Sequence, residues 1–98
     1  MPVRLDPEGA ELAALRRLAN FRGKRVLEIG CGDGRLTWRY AAEAAQVVGI
    51  DPLEEEIGWA RRHTPKSLKG RVRFEVSQAE ELKFPDDSFD IVLYAWSL

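Results

Sequence analysis

Ninety-eight residues, 45% of them apolar and 32% charged, suffice for one small globular domain with a core and for no more than one. A formal net charge of −1 and a pI near 5.8 give no electrostatic reason to expect nucleic acid or an anionic membrane as a partner. The opening MPVRLDPEG lacks the apolar core of a signal peptide, the longest wholly apolar run covers only Ile91 to Trp96, and the lone Cys31 excludes an internal disulfide or a cysteine cluster for zinc, so a cytoplasmic protein is expected.

Asp6-Pro7 can open a first helix, with Leu12, Leu15 and Leu18 in one apolar stripe for packing on a sheet. Arg25 to Ile29 is a short apolar run that reads as a buried strand. Gly30, Gly32 and Gly34 then alternate with Cys31 and Asp33, and Leu36, Tyr40, Ala41 and Ala44 recur at helical spacing over about 35–45. The glycines therefore lie at a strand-to-helix turn. Lacking Cβ atoms, they can adopt positive φ and let a ligand approach the backbone, in front of a helix with unsatisfied N–H groups.

Gln46 to Asp51 predicts a second buried strand ending in an acid, 21 residues after Gly30. That offset is close to the roughly 20 residues at which Rossmann-type folds place a carboxylate on a ribose. An ionised carboxylate can accept from both vicinal hydroxyls. The alternative is that Asp51 only caps the helix starting at Pro52, and the two roles are compatible. That helix, predicted over 52–63, presents Leu53, Ile57 and Ala60 on one face. Glu54, Glu55 and Glu56 occupy its first turn and Arg61, Arg62 and His63 its last, each complementing the macrodipole. The only histidine is thus read as a helix-end surface residue, and the glutamate run as a solvated face instead of a metal site.

After a polar connection over 64–70, Arg71 to Val76 alternates polar and apolar residues, as an edge strand with one wet face would. Asp86, Asp87 and Asp90 raise a metal reading, but Pro85-Asp86-Asp87-Ser88 is also ordinary turn chemistry, which is preferred. Phe89 to Trp96 is apolar on both faces and predicts a central parallel strand. Four strands alternating with helices imply an α/β fold with a parallel sheet and right-handed crossovers.

The glycine spacing narrows the ligand. A dinucleotide fingerprint would need a third glycine at position 35, where Arg35 stands. The chain has Val26-Leu27-Glu28-x-Gly30-x-Gly32-x-Gly34 instead, which resembles motif I of the class I, Rossmann-like S-adenosylmethionine (SAM) methyltransferases, and it is similar to their small-molecule type 11 domains. The resemblance implies a Rossmann-like parallel sheet with flanking helices, its four strands in the order 3-2-1-4, truncated relative to the family's seven-stranded 3-2-1-4-5-7-6. It implies SAM as cofactor and S-adenosylhomocysteine as product. Glu28, Gly30, Gly32 and Gly34 would lie at the methionine side and loop, with Cys31 as a small apolar spacer. Asp51, followed by Pro52, would take the ribose, Leu53 would cover the adenine, and Gln78 and Ala79 would meet its edge. Tyr94, Trp96 and Ser97 would lie where the methyl group points, Tyr94 and Trp96 being equally readable as packing residues. One departure stands out: the family usually reads Gly-Asp-Ala-Glu where this chain has Ser77-Gln78-Ala79-Glu80, so an amide oxygen replaces the adenine-binding acid.

The resemblance spans essentially the whole chain and stops at the fourth strand. Ile91 to Trp96 would then be an uncovered apolar edge, which predicts self-association by antiparallel pairing across a two-fold axis. Methyl transfer from a sulfonium needs binding, orientation and exclusion of water more than a covalent nucleophile. No general base is legible. The acceptor, expected to be a small molecule, is unidentified. Two rival readings are an NAD(P)-binding Rossmann domain and a non-catalytic half-domain that folds or self-associates without turnover.

Overall fold

Apolar runs buried on both faces place β2 (Arg25–Ile29) and β3 (Gln46–Asp51) at the centre of the sheet, where every residue but the first of each strand is buried. The structure is a computed structural model that describes residues 3–5, 20–78 and 88–95. The predicted first helix, Ala79, Asp86, Asp87, Trp96 and Ser97 lie outside the described residues. β4 (Val72–Val76) follows β3, and β5 (Ile91–Tyr94) pairs with the other side of β2. All of these pairings are parallel, so these four strands adopt the expected 3-2-1-4 order.

A fifth strand corrects the expectation of a bare edge. β1 (Val3–Leu5) adds in parallel to the outer side of β5, with Val3 opposite Ile91 and Leu5 opposite Leu93, giving the order β1-β5-β2-β3-β4. The hydrogen-bonding groups on that side of β5 therefore already have a strand to meet, and the edge is β1. At the opposite edge, β4 alternates buried Val72 and Phe74 with outward Arg73, as its sequence pattern predicts.

The second predicted helix is shorter than its periodicity suggests. α1 spans only Thr37–Tyr40, after which turns carry the chain to β3. The N–H groups of Ala45 and Gln46 both donate to the carbonyl of Lys24, so the ladder with β2 claims them before the helix can continue. α2 (Glu54–Arg62) matches its predicted span within the usual fraying of helix ends. A short 3₁₀ turn over Lys66–Leu68 leads to β4.

The core has two parts, one on each face of the sheet. Val26, Val47, Val72, Phe74, Ile91 and Leu93 pack with Phe21, Tyr40, Ile57 and Ala60 on the side carrying α1 and α2. Leu27, Ile29, Val48, Ile50 and Val92 form the other part. Alternation along β2 thus puts Val26 and Glu28 on the helix side and Leu27 and Ile29 on the other. Among the described residues no helix is long and apolar enough to cross a membrane.

Candidate functional site

β2 is the strand from which the sheet extends in both directions, to β3 on one side and β5 on the other. The crevice beyond the carboxyl end of such a strand is where open α/β sheets bind ligands. A cleft of about 570 Å³ lies there, lined by Glu28, the glycine loop, Asp51, Leu53, Glu56, Ala95 and, from the α1 side, Arg35, Leu36 and Arg39.

The loop is built by hydrogen bonds that leave β2 abruptly. The N–H groups of Gly30 and Cys31 both donate to the carbonyl of Ile50, and that of Gly34 donates to Cys31. Gly30, Gly32 and Gly34 all have positive φ, a region that residues with side chains rarely adopt. At Gly34 the space is closed as well: a Cβ there would lie 2.7 Å from the Trp38 ring.

Asp51 ties the loop to the next strand. Its Oδ2 accepts from the Gly32 N–H at 3.0 Å and its Oδ1 from the Leu53 N–H at 2.9 Å. Each carboxylate oxygen offers about two lone pairs, so one backbone bond apiece leaves capacity for two further donors in the cleft. The capping and ligand roles anticipated for Asp51 are thus geometrically compatible. Its carbonyl also accepts from Ser77, which sets Gln78, an exposed residue, beyond the same end of the sheet.

Glu28 is fully buried. Thr37 Oγ1 donates to its Oε1 at 2.9 Å, and the Tyr40 hydroxyl donates to the same oxygen. Oε2 has no partner, and it is the only such buried side-chain oxygen or nitrogen among the described residues. Burial raises the carboxyl from its ordinary 4.5 to about 7, against the opposing pull of the Tyr40 and Thr37 hydroxyls. The same seclusion, with the negative charges of Glu28 and Asp51 nearby, drives the Cys31 thiol far above its ordinary value. A thiol so disfavoured as thiolate is a packing group, in keeping with its reading as a spacer.

The other residues singled out by the sequence take varied places around the cleft and the sheet. Tyr94, partly buried, packs against the Leu27, Ile29 and Val92 cluster on the face opposite Glu28. Pro52 is exposed beside the cleft without lining it, and Gly34 shapes the loop from behind. Leu53 is 59% exposed, an apolar side chain presented at the cleft instead of buried under it. His63 stacks on Trp59 at 4.0 Å and its Nδ1 meets the Trp59 carbonyl, at the end of α2 and outside the cleft. Asp90 clamps Arg25, accepting from its backbone N–H and its guanidinium, so it joins the starts of β2 and β5.

The family model described as a methyltransferase domain matches residues 26–98. The chain belongs to this methyltransferase family. It is 35% identical over 86 residues to the uncharacterized methyltransferase YcgJ of Bacillus subtilis, covering 87% of this chain and 34% of that protein. It is 46% identical over 73 residues to the ubiquinone biosynthesis O-methyltransferase of Rhizobium etli, covering 74% of this chain and 29% of the relative. The crystal structure of YcgJ superposes with a TM-score of 0.75 at 33% identity, over 85% of this chain and 36% of that one. The magnesium protoporphyrin IX methyltransferase of Synechocystis, solved with S-adenosylhomocysteine bound, superposes with a TM-score of 0.68 at 27% identity, over 84% and 37% of the two chains. This methyltransferase domain thus spans about a third of the length of the relatives it matches. The dinucleotide alternative loses its footing, because the glycine spacing and the family agree.

Thr37 and Tyr40 were not legible as site residues. Apolar spacing alone puts Tyr40 in the stripe of a helix and gives Thr37 no role. The available signal was their i, i+3 spacing, which puts two hydroxyls on one side of the helix that follows a strand carrying a buried acid.

Proposed function

We propose that this methyltransferase domain binds SAM in the cleft and forms the cofactor half of an enzyme that methylates a small-molecule acceptor. The observation that carries this reading is the unpartnered, buried Oε2 of Glu28 beside a glycine loop whose far side is held by Asp51. A buried carboxylate oxygen without a donor is costly unless a ligand supplies one. SAM fits that requirement: its ammonium group would meet Glu28 and its ribose hydroxyls Asp51, with Leu53 against the adenine and Gln78 toward its edge.

When bound, SAM supplies a methyl group already activated by a sulfonium. The protein's own residues bind, orient and exclude water. Glu28 offers a negative charge in a dry pocket, where its interaction with a cation is stronger than in water. Asp51 fixes the loop through Gly32 while keeping lone pairs for hydroxyl donors. No residue of the cleft stands out as a base for the acceptor, whose other contacts would come from outside this domain. A near-neutral net charge supports a small acceptor over nucleic acid or an anionic membrane surface.

Calorimetric titration with S-adenosylhomocysteine, with NADH as the control, tests the proposal. Saturable binding of S-adenosylhomocysteine alone supports it. Binding of NADH alone, or of neither, refutes it for this chain.

A further inference from the structure

The two aspartates of the cleft answer to the backbone: Asp51 holds two N–H groups, and Asp33 accepts from the N–H of Arg35. The Glu28, Thr37 and Tyr40 cluster does not. All three side chains are fully buried on the helix side of the sheet, among Val26, Val47 and Leu93. Two hydroxyls from the first and last residues of the single-turn α1, spaced i, i+3, converge on a single oxygen of a carboxylate that has two. A carboxylate shared evenly between donors would satisfy both oxygens. This one is deliberately asymmetric in its effect: one oxygen is doubly bound, and the other is empty in a residue that lines the cleft.

We propose that Tyr40 and Thr37 are positioning residues, which pin Oε1 of Glu28 so that Oε2 is held ready as the acceptor for the cationic end of the bound ligand. The inference rests on the cofactor reading above and adds to it the origin of the site's preorganisation. Tyr40 is itself fixed, its ring stacked on Phe21 at 4.6 Å with an interplanar angle of 23°. The Trp38 N–H donates to the Gly34 carbonyl, so α1 and its clamp are tied by a hydrogen bond to the glycine loop. Holding an acceptor in place before the ligand arrives removes part of the ordering cost from the binding step.

The clamp also sets the charge state. Each hydroxyl donates to Glu28 and so favours its ionised form, the one that attracts a cation. The titratable or charged neighbours from the surrounding elements are Tyr40 and Arg39 on α1, Cys31, Asp33 and Arg35 on the loop, Asp51 on β3 and Glu56 on α2. Cys31 and Tyr40 stay protonated near neutrality, because both are driven above their ordinary values. Ligand affinity should therefore rise with pH as Glu28 loses its proton, and removing a hydroxyl should move that rise to higher pH.

The test measures S-adenosylhomocysteine affinity from about pH 5.5 to 8.5 for the wild type, Tyr40→Phe, Thr37→Val and Thr37→Ser, together with the Glu28 titration followed by carboxyl carbon NMR. Tyr40→Phe and Thr37→Val are each expected to weaken binding roughly tenfold near neutrality and to raise the Glu28 midpoint. Thr37→Ser, which keeps the hydroxyl, should stay within about twofold of wild type. Should Tyr40→Phe fail to fold, Thr37→Val and its serine rescue carry the comparison. Wild-type affinity in both hydroxyl-deleted variants overturns the positioning role while leaving the cofactor reading intact. So does a loss that is equal at every pH with an unmoved Glu28 midpoint. Absence of binding by the wild type at every pH is the distinct result that overturns the cofactor reading and this role with it.

Discussion

Replacing Glu28 by glutamine converts the buried acid into a neutral group of the same shape, and the consequence for stability is a matter of pH. In the folded chain the carboxyl titrates near 7, against an ordinary 4.5. Between those values the folded state holds a proton that the unfolded state releases, so stability falls as pH rises through the window and levels off above it. At about 1.4 kcal/mol per pH unit, the difference amounts to roughly 3 kcal/mol. Glutamine carries no such proton. Its Oε1 can still accept from Thr37 and Tyr40, while its amide N–H groups at the other position cost a similar amount at every pH. Glu28→Gln should therefore gain on the wild type by about 2.5 kcal/mol between pH 5 and pH 8, a relative rise of about 10–20 °C in Tm for a domain of this size. Urea unfolding of the ligand-free chains, followed by tryptophan fluorescence at the two pH values, measures it. Two stability curves that run parallel from pH 5 to pH 8 would refute the reasoning, because they would mean that Glu28 titrates alike in both states.

Asp51→Asn sets an amide N–H against one of two backbone donors, Gly32 or Leu53, and should cost roughly 1–3 kcal/mol of stability by urea unfolding and at least about tenfold in S-adenosylhomocysteine affinity. Unchanged affinity would remove Asp51 from the ligand site. Gly34→Ala meets both a φ of +89° and the Trp38 ring, so a loss of roughly 1–3 kcal/mol is expected by thermal melting, larger than for an alanine placed on the exposed face of α2. Asp90 is held below its ordinary value by the Arg25 side chain and N–H, so its contribution is present above the unfolded value and lost as pH falls through the folded one. Asp90→Asn should therefore flatten the acid limb of the stability curve, read by chemical unfolding at a series of acidic pH values. Removing residues 1–5 strips β1 from β5 and bares an apolar edge, so light scattering should show a larger mass for the shortened chain than for the intact one; equal masses would mean that this edge does not self-pair.

The central strands were legible because their burial on both faces leaves an unbroken apolar run, and a buried parallel strand tolerates little else. The glycine turn and Asp51 were legible because each needs a special residue at a fixed distance from a strand end. What escaped the sequence depends on non-local pairing. Val3–Leu5 is three residues with an arginine in the middle, and only its meeting with β5 makes it a strand. The periodicity that promised a helix up to Ala45 is real, since Tyr40, Ala41 and Ala44 are all buried. Turns can bury that face as well as a helix can, and the pull of the Lys24 carbonyl decided between them. Gly49 likewise looked like an ordinary strand residue. Its absent side chain leaves the space into which Phe74 packs, where a Cβ would stand 2.8 Å from the ring.

Glu28 was singled out by its place before the glycines, but its surroundings make the stronger argument. An apolar residue in its position would join Val26, Val47 and Leu93 in a continuous core, and buried charge is generally a poor source of stability compared with such packing. The chain instead keeps a buried acid and devotes the hydroxyls of Thr37 and Tyr40 to it, while leaving one oxygen unsatisfied. That arrangement destabilises the free protein most where Glu28 is forced to ionise. A cation delivered to Oε2 reverses the sign of the effect, because the ionised carboxylate then gains the partner that burial denied it. On the proposed reading, the energetic defect of the free fold and the acceptor for the ligand's cation are the same atom.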